Sequence, residues 1–263
     1  MLASERQARI LDEVKRRGSV RVAVLSEMFG VSDMTVRRDL DVLAGQGVLD
    51  KVHGGATTAS PSSADEPGFE AKWVRQQAEK AAIAEAAARL VEPGMAVGLS
   101  AGTTTWALAK HLREVDQLTV VTNSMQVAQV FQSSEGSERT VILTGGVRTP
   151  SDALVGPVAV AALRQLHLDV LFLGVHGMTD RSGFSTPNLL ESDVNRAFVE
   201  ASNRLVVLAD HTKWGQVGLS TIARLDRADV VVTDDGLEPA ARARLAELVG
   251  TLTIVKAAVE ANP

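Results

Sequence analysis

Residues 32–40 read Ser-Asp-Met-Thr-Val-Arg-Arg-Asp-Leu, and they constrain the fold more than any other stretch of the 263-residue chain. Val36, Leu40 and Leu43 recur at i, i+4 and i+7, the stripe of a helix with one buried face, which leaves Thr35, Arg37 and Arg38 off that face. Ser32 stands where an N-cap belongs, Asp33 adds negative charge to the first turn, and Gly45 and Gly47 close the helix. Upstream, Ala8, Ile10, Leu11 and Val14 predict a helix from Glu5 to Arg17, ended by Gly18 after a basic last turn. Ser19 is expected to cap or lead into a second helix, Val22 to Phe29, with Val22, Leu25, Met28 and Phe29 inward and Gly30 at the turn. Val48 to His53 alternates loosely and Gly54-Gly55 can turn, which predicts a hairpin or wing.

Three short helices with a tight turn before the third, followed by a wing, describe a head of the size and chemistry that enters a DNA major groove. On that reading Ser32, Thr35, Arg37 and Arg38 contact phosphates or base edges, and Lys51 and His53 of the wing reach a phosphate or the minor groove. The plainer alternative is a three-helix scaffold with solvated arginines. Charge is only weak support. Residues 1–56 hold nine Lys and Arg against eight Asp and Glu, the remainder eighteen against twenty-four, and the net charge is −5. A basic face needs only local clustering.

The head is similar to that of the DeoR family of bacterial transcriptional regulators. Arg6, Ile10, Val14, Ser32, Thr35, Val36, Arg37, Arg38, Asp39 and Leu40 carry the resemblance, with Gly54, Gly55 and Ala56 after the wing. Thr57 to Gly68 is small, polar and proline-containing, as a linker is. The expected organisation is therefore a winged helix-turn-helix at 1–56, a linker at 57–68 and a larger domain at 69–263.

The larger domain alternates continuous apolar runs with helical stretches, so a largely parallel sheet covered on both faces is expected. Trp73 to Val91 predicts one alanine-rich helix. Strands are predicted at 95–99, 118–122, 140–143, 170–174, 205–209, 230–233 and 251–255. Helices are predicted at 104–112, 124–132, 156–166, 188–202 and 239–248. Ligands of such folds bind beyond the carboxyl ends of the strands.

The chemistry-bearing residues collect at those ends. Ser100-Ala101-Gly102-Thr103-Thr104-Thr105 joins a strand to a helix. It reads either as a phosphate cradle, with glycine, hydroxyls and helix amides converging, or as an ordinary threonine-capped turn. It is not a Walker loop, because the Gly-Lys-Ser/Thr ending is missing. Asn123 can touch a ligand or cap the next helix. Gly145 and Gly146 can let the chain pass close to one. His176 sits at the expected ligand edge, though a lone histidine is more often structural. Glu191 can bind sugar hydroxyls or cap its helix, and Lys213 can neutralise a phosphate or pair with an acid.

The resemblance bears on these choices. The larger domain is similar to the DeoR-type sensor domain, a Rossmann-like α/β fold related to ribose-5-phosphate isomerase and the CoA transferases. The resemblance implies a phosphorylated sugar or sugar-acid effector at Gly102, Thr103 and Thr104, with Asn123, Gly145, Gly146, Glu191 and Lys213 at other pocket positions. Two departures stand out: Ser100-Ala101 replaces the family's common Asp-Ser, and His176 stands where aspartate is frequent. Both remove a carboxylate from the pocket.

The expected function is a cytoplasmic DNA-binding regulator, most simply a repressor of a carbohydrate-metabolism operon relieved by a phosphorylated sugar, acting on double-stranded operator DNA as a homo-oligomer. The alternative is a phosphosugar isomerase-like enzyme with an accessory DNA-binding domain. Such an enzyme needs a carboxylate base. Asp152, Asp180, Glu191, Asp193 and Asp234 are candidates, and none forms a convincing pair by spacing. No cofactor is expected, and no metal either: there is no cysteine, and His53, His111, His167, His176 and His211 lack zinc-type spacing. The start of the chain lacks a signal-peptide core, and the longest apolar runs are too short to span a bilayer.

Overall fold

The computed structural model describes residues 2–45, 48–52, 54–58, 68–132 and 139–257. Two compact units divide at Ser62 and Ser63. Gly47, His53 and most of the expected linker (59–67) lie outside the described residues.

In the first unit α1 (Ala3–Arg17) ends at Gly18, whose N–H bonds to the Val14 carbonyl at 2.9 Å. A short strand β1 (Ser19–Arg21) follows, then α2 (Val22–Phe29) and α3 (Asp33–Gly45). The hairpin β2 (Leu49–Val52) and β3 (Gly55–Thr58) completes the unit. Ser19 therefore starts a strand and not a helix. The reason is tertiary: β1 pairs antiparallel with β3, which gives a three-stranded sheet in the order β1-β3-β2. Gly55 permits that pairing, since a Cβ there would stand 2.3 Å from the Val20 carbonyl oxygen. Ile10, Val14, Leu25, Val36, Leu40, Leu43, Leu49 and Ala56 form the core. Met28, expected inward, is 42% exposed because α2 buries only Val22 and Leu25 fully.

The second unit opens with α4 (Phe69–Trp73) and α5 (Gln77–Ala88). The single helix expected over 73–91 is broken at Val74–Gln76, where Gln76 takes φ 48°. The carbonyls of Lys72 and Arg75 accept from the Lys80 ammonium, at 2.6 Å for Lys72, so a side chain replaces the helical ladder at the break. The chain then alternates: β4 (Ala96–Leu99), α6 (Thr103–Leu112), β5 (Thr119–Thr122), α7 (Met125–Gln132), β6 (Thr140–Leu143). A small antiparallel pair, β7 (Val147–Arg148) with β8 (Leu154–Val155), precedes α8 (Pro157–Leu163) and β9 (Leu168–Gly174). β10 (Gly177–Thr179) and β11 (Gly183–Thr186) lead to α9 (Leu189–Ala201) and β12 (Ser202–Leu208). β13 (Ser220–Ala223), β14 (Val230–Asp234), α10 (Pro239–Leu248) and β15 (Thr251–Val255) end the fold. The short pairs β7-β8 and β10-β11-β13 carry too few residues each to show a period in the sequence. The helix expected over 156–166 is cut to Pro157–Leu163, entered from Gly156 at φ 93°.

Seven strands form one parallel sheet in the order β15-β14-β12-β9-β4-β5-β6. Alternate residues serve opposite faces. Val97, Leu99, Val170, Phe172, Val206 and Leu208 pack with α5, α6 and α7, while Leu171, Leu173, Leu205 and Val207 pack with α8, α9 and α10. Both faces are buried, which is why these strands read as continuous apolar runs. From β4 the chain builds outward through β5 to β6, then returns to lay β9 on the other side of β4 and builds outward again. The order reverses between β4 and β9, the switch point beyond which ligands of open parallel sheets bind.

Candidate functional sites: a basic helix face and an anion cradle

Each unit carries one site. In the first, Ser32 Oγ accepts from the Thr35 N–H at 3.3 Å and its hydroxyl lies 3.0 Å from the Thr35 hydroxyl, so α3 begins under a side-chain cap. Asp33 accepts from Ser26 Oγ at 2.6 Å, which joins the end of α2 to the start of α3. Asp39, on the buried side, accepts from Arg6 Nε at 2.5 Å and from Gln7 Nε2 at 3.0 Å, so α1 is pinned across α3. That carboxylate holds the Arg6 guanidinium above its ordinary pKa. Among the resemblance-bearing residues, Arg6 and Asp39 are thus explained as one buried ion pair.

The opposite face of α3 presents Arg37 and Arg38. Both are exposed, and neither makes a hydrogen bond or ion pair among the described residues. A guanidinium without an internal partner is available to a phosphate or a guanine edge. Lys51 is committed differently: its ammonium pairs with Asp41 of α3, tying the wing to the helix. His53 lies outside the described residues.

In the second unit the expected effector residues meet at one end of the sheet. Register places Leu208 beside Gly174, Phe172 beside Leu99, Leu99 beside Thr122 and Thr122 beside Leu143. The segments that follow these strands are neighbours: Lys213 after β12, His176 after β9, Gly102–Thr104 after β4, Asn123 after β5, and Gly145-Gly146 after β6. No side chain caps α6 at Gly102. The first N–H groups of a helix have no intrahelical partner, so uncapped amides with the macrodipole behind them attract an anion.

Several bonds hold this loop in shape. Ala101 N–H donates to Asn123 Oδ1 at 2.9 Å, and Asn123 Nδ2 donates to the Leu154 carbonyl at 3.1 Å. Ser100, fully buried, accepts from the Gly174 N–H at 3.0 Å and so straps β4 to β9. Gly146 has a packing role, since a Cβ on it would lie 2.4 Å from the Val155 carbonyl. Glu191 accepts from Thr149 Oγ1 at 3.0 Å and Thr186 Oγ1 at 3.3 Å, while Asn188 caps α9. The backbone N–H of His176 donates to the Ser185 carbonyl at 3.1 Å. Lys213 sits in a 3-10 turn (His211–Lys213), half-buried, and its ammonium has no partner among the described residues.

Sequence reasoning missed three groups here. Asp210 is buried and caps the 3-10 turn through the Thr212 N–H at 3.1 Å. Asp234 is buried and accepts from the N–H of His211 and from its Nδ1, each at 2.7 Å. Lys80 is buried among alanines, its pKa pushed down to about 8 by desolvation, with Asp210 acting against that shift and Lys213 adding to it. The signal for Lys80 was present: with Ile83, Ala84 and Ala87 it completes a buried stripe at i, i+3, i+4 and i+7.

The carboxylates weighed as catalytic bases are all engaged. Asp152 pairs with Arg148 at 2.5 Å and accepts from Gln126, Asp180 pairs with Arg244, Asp193 pairs with Arg196, Asp234 holds His211, and Glu191 holds two threonines.

Comparison with known proteins follows the same division. The family model described as DeoR-like helix-turn-helix domain matches residues 6–62. The one described as DeoR C terminal sensor domain matches residues 75–235. This chain belongs to the DeoR family. It is a DNA-binding transcriptional regulator by that membership. A DeoR-family relative, the HTH-type transcriptional regulator YgbI of Escherichia coli (strain K12), is 39% identical over 97% of this chain and 99% of its own. The HTH-type transcriptional regulator GolR of Listeria innocua is 34% identical over 91% and 94%. The transcriptional repressor AccR of Agrobacterium fabrum is 35% identical over 88% and 90%. Among solved structures, a ribose 5-phosphate isomerase A from Methanocaldococcus jannaschii aligns over 51% of this chain and 53% of its own, with 17% identity and a TM-score of 0.38. Among the described residues no helix is long and apolar enough to cross a membrane.

Proposed function

We propose that the protein is a repressor whose hold on operator DNA is released by a phosphorylated sugar or sugar acid, and that it regulates a carbohydrate-metabolism operon. The observation that carries the effector half is the uncapped start of α6 at the switch point of the sheet, with the unpartnered Lys213 on a neighbouring segment. Helix amides and an ammonium together favour a dianion such as a phosphate monoester. Gly102, Thr103 and Thr104 cradle the phosphate, Lys213 neutralises it, and His176 and Glu191 face the sugar. Asn123, Gly145 and Gly146 shape the cradle. The engagement of every candidate base supports a sensor and not an isomerase.

On the DNA side, Arg37 and Arg38 read base edges or phosphates, Ser32 and Thr35 approach the backbone, and Lys51 and His53 contact it from the wing. One head buries too little surface for tight, specific binding, so the working form is a dimer or tetramer on a symmetric operator. A chromosome reader works in the cytoplasm of a bacterium. The domains are 1–56, a linker at 57–68, and 69–263.

The test is fluorescence anisotropy of the protein on DNA from upstream of its own gene at fixed salt, titrated with a panel of sugar phosphates. Specific binding released by one compound is the expected result. Binding that no phosphorylated compound moves, while a neutral sugar does, overturns the effector assignment.

A further inference from the structure

α4 is anchored in an unusual way. It is five residues long and buries none of its side chains, so it has no core of its own. Its hold comes from its edges. The Phe69 N–H reaches the Pro150 carbonyl at 3.4 Å, and Lys72 Nζ donates to Ser151 Oγ at 2.8 Å. Phe69 and Trp73 meet Trp106 of α6 edge to face, at centroid distances of 6.1 and 4.5 Å. At its C-terminal end the Lys80 ammonium takes the carbonyls of Lys72 and Arg75. Trp106 lies one turn into the helix whose first amides form the proposed cradle.

Lys80 is the only one of these anchors that carries its charge inside. It is 5% exposed, no carboxylate pairs with it directly, and its charged neighbours are Asp210 and Lys213 after β12 and Glu79 and Arg75 near its own position. A buried ammonium with incomplete compensation costs free energy, and an added anion nearby lowers that cost. We infer that Lys80 is a positioning residue that couples the effector site to α4: its buried ammonium, fixed on the last carbonyls of α4, answers to the charge held at Lys213. The inference rests on the anion site proposed above.

The sign follows from linkage. Burial under α4 disfavours the charged form of Lys80, and the group's pKa falls to about 8. The docked arrangement therefore binds its proton less tightly than an undocked, hydrated Lys80 does. Docking strengthens as pH rises through about 8 and the charge is lost. An anion beside Lys213 stabilises the charged form in place, raises the docked pKa, and tightens α4 at neutral pH without any change in its own contacts.

The measurement is intrinsic tryptophan emission of the full-length Trp214→Phe protein from pH 7 to 9.5, with and without ribose 5-phosphate, whose binding is checked by calorimetry. The chain has no tyrosine, so the signal belongs to Trp73 and Trp106. We expect a transition near pH 8 without the sugar, a higher midpoint with it, and neither effect in Lys80→Gln. A flat profile in the Lys80 protein overturns the coupling, whether or not the sugar binds. An identical transition in Lys80→Gln assigns it to another group and also overturns the coupling. A midpoint unmoved by sugar that calorimetry shows to be bound leaves no link to the effector site. No binding heat counts against ribose 5-phosphate as a ligand of the site, and the sugar-free profile then decides the role of Lys80.

Discussion

Replacing Asn123 with alanine separates a residue that builds the cradle from one that touches the ligand. Asn123 is 2% exposed, and its side chain makes two bonds to backbone groups: the Ala101 N–H and the Leu154 carbonyl. Truncation leaves a buried donor and a buried acceptor unpaired, each costing about 1–3 kcal/mol, so Asn123→Ala should lose roughly 2–6 kcal/mol of stability. Asn123→Asp keeps an acceptor for Ala101 but sets a second acceptor against Leu154, and should still destabilise. Urea unfolding followed by tryptophan emission suits the question, because Trp73, Trp106 and Trp214 all lie in the sensor unit. The expected result is a lower midpoint with an unchanged slope. A midpoint shift worth under about 0.5 kcal/mol, well below the usual cost of an orphaned buried group, together with weakened sugar-phosphate binding, would make Asn123 a ligand contact and refute the reasoning.

Three further outcomes follow from the geometry. Arg37→Ala or Arg38→Ala should weaken specific operator binding by about 1–3 kcal/mol for whichever residue reads a base, and the other should mainly flatten the salt dependence; unchanged anisotropy curves for both would remove α3 as the reading helix. Lys213→Ala should reduce affinity for the effector phosphate while leaving urea stability near that of the parent, since its ammonium has no internal partner to lose; an unaltered titration would take Lys213 out of the site. Gly146→Ala should lower the thermal midpoint of the sensor unit, because φ 120° and a 2.4 Å approach to the Val155 carbonyl leave no room for a methyl group, and a parent-like melt would contradict that packing.

The sequence carried the long elements well. The apolar runs at 140–143, 230–233 and 251–255 and the helix at 239–248 lie within or coincide with elements of the structure, because a strand buried on both faces or a capped helix advertises itself over several residues. What failed was set by distant partners. β1 is a strand because β3 returns beside it, the 73–91 helix breaks where the Lys80 side chain substitutes for a backbone donor, and the β7-β8 pair is only two residues per strand. The site was legible as a collection of loops, since Gly102–Thr104, Asn123, His176 and Lys213 each follow a strand. The division of labour among them was not. That Ser100 and Asn123 are spent on backbone groups, and that Asp210 and Lys80 lie beneath the surface, depends on contacts between residues tens of positions apart.

The head draws its core from residues 10–56, and the sensor draws its cores from residues 83–249. With β1 recruited to β3, the head's sheet is complete by Thr58. A substitution that repacks one core therefore leaves the other's buried contacts intact. Over evolutionary time such a chain can drift toward a new operator without retuning its metabolite, or acquire a new metabolite under an old operator. A hybrid carrying one relative's head on another's sensor should inherit its two specificities separately.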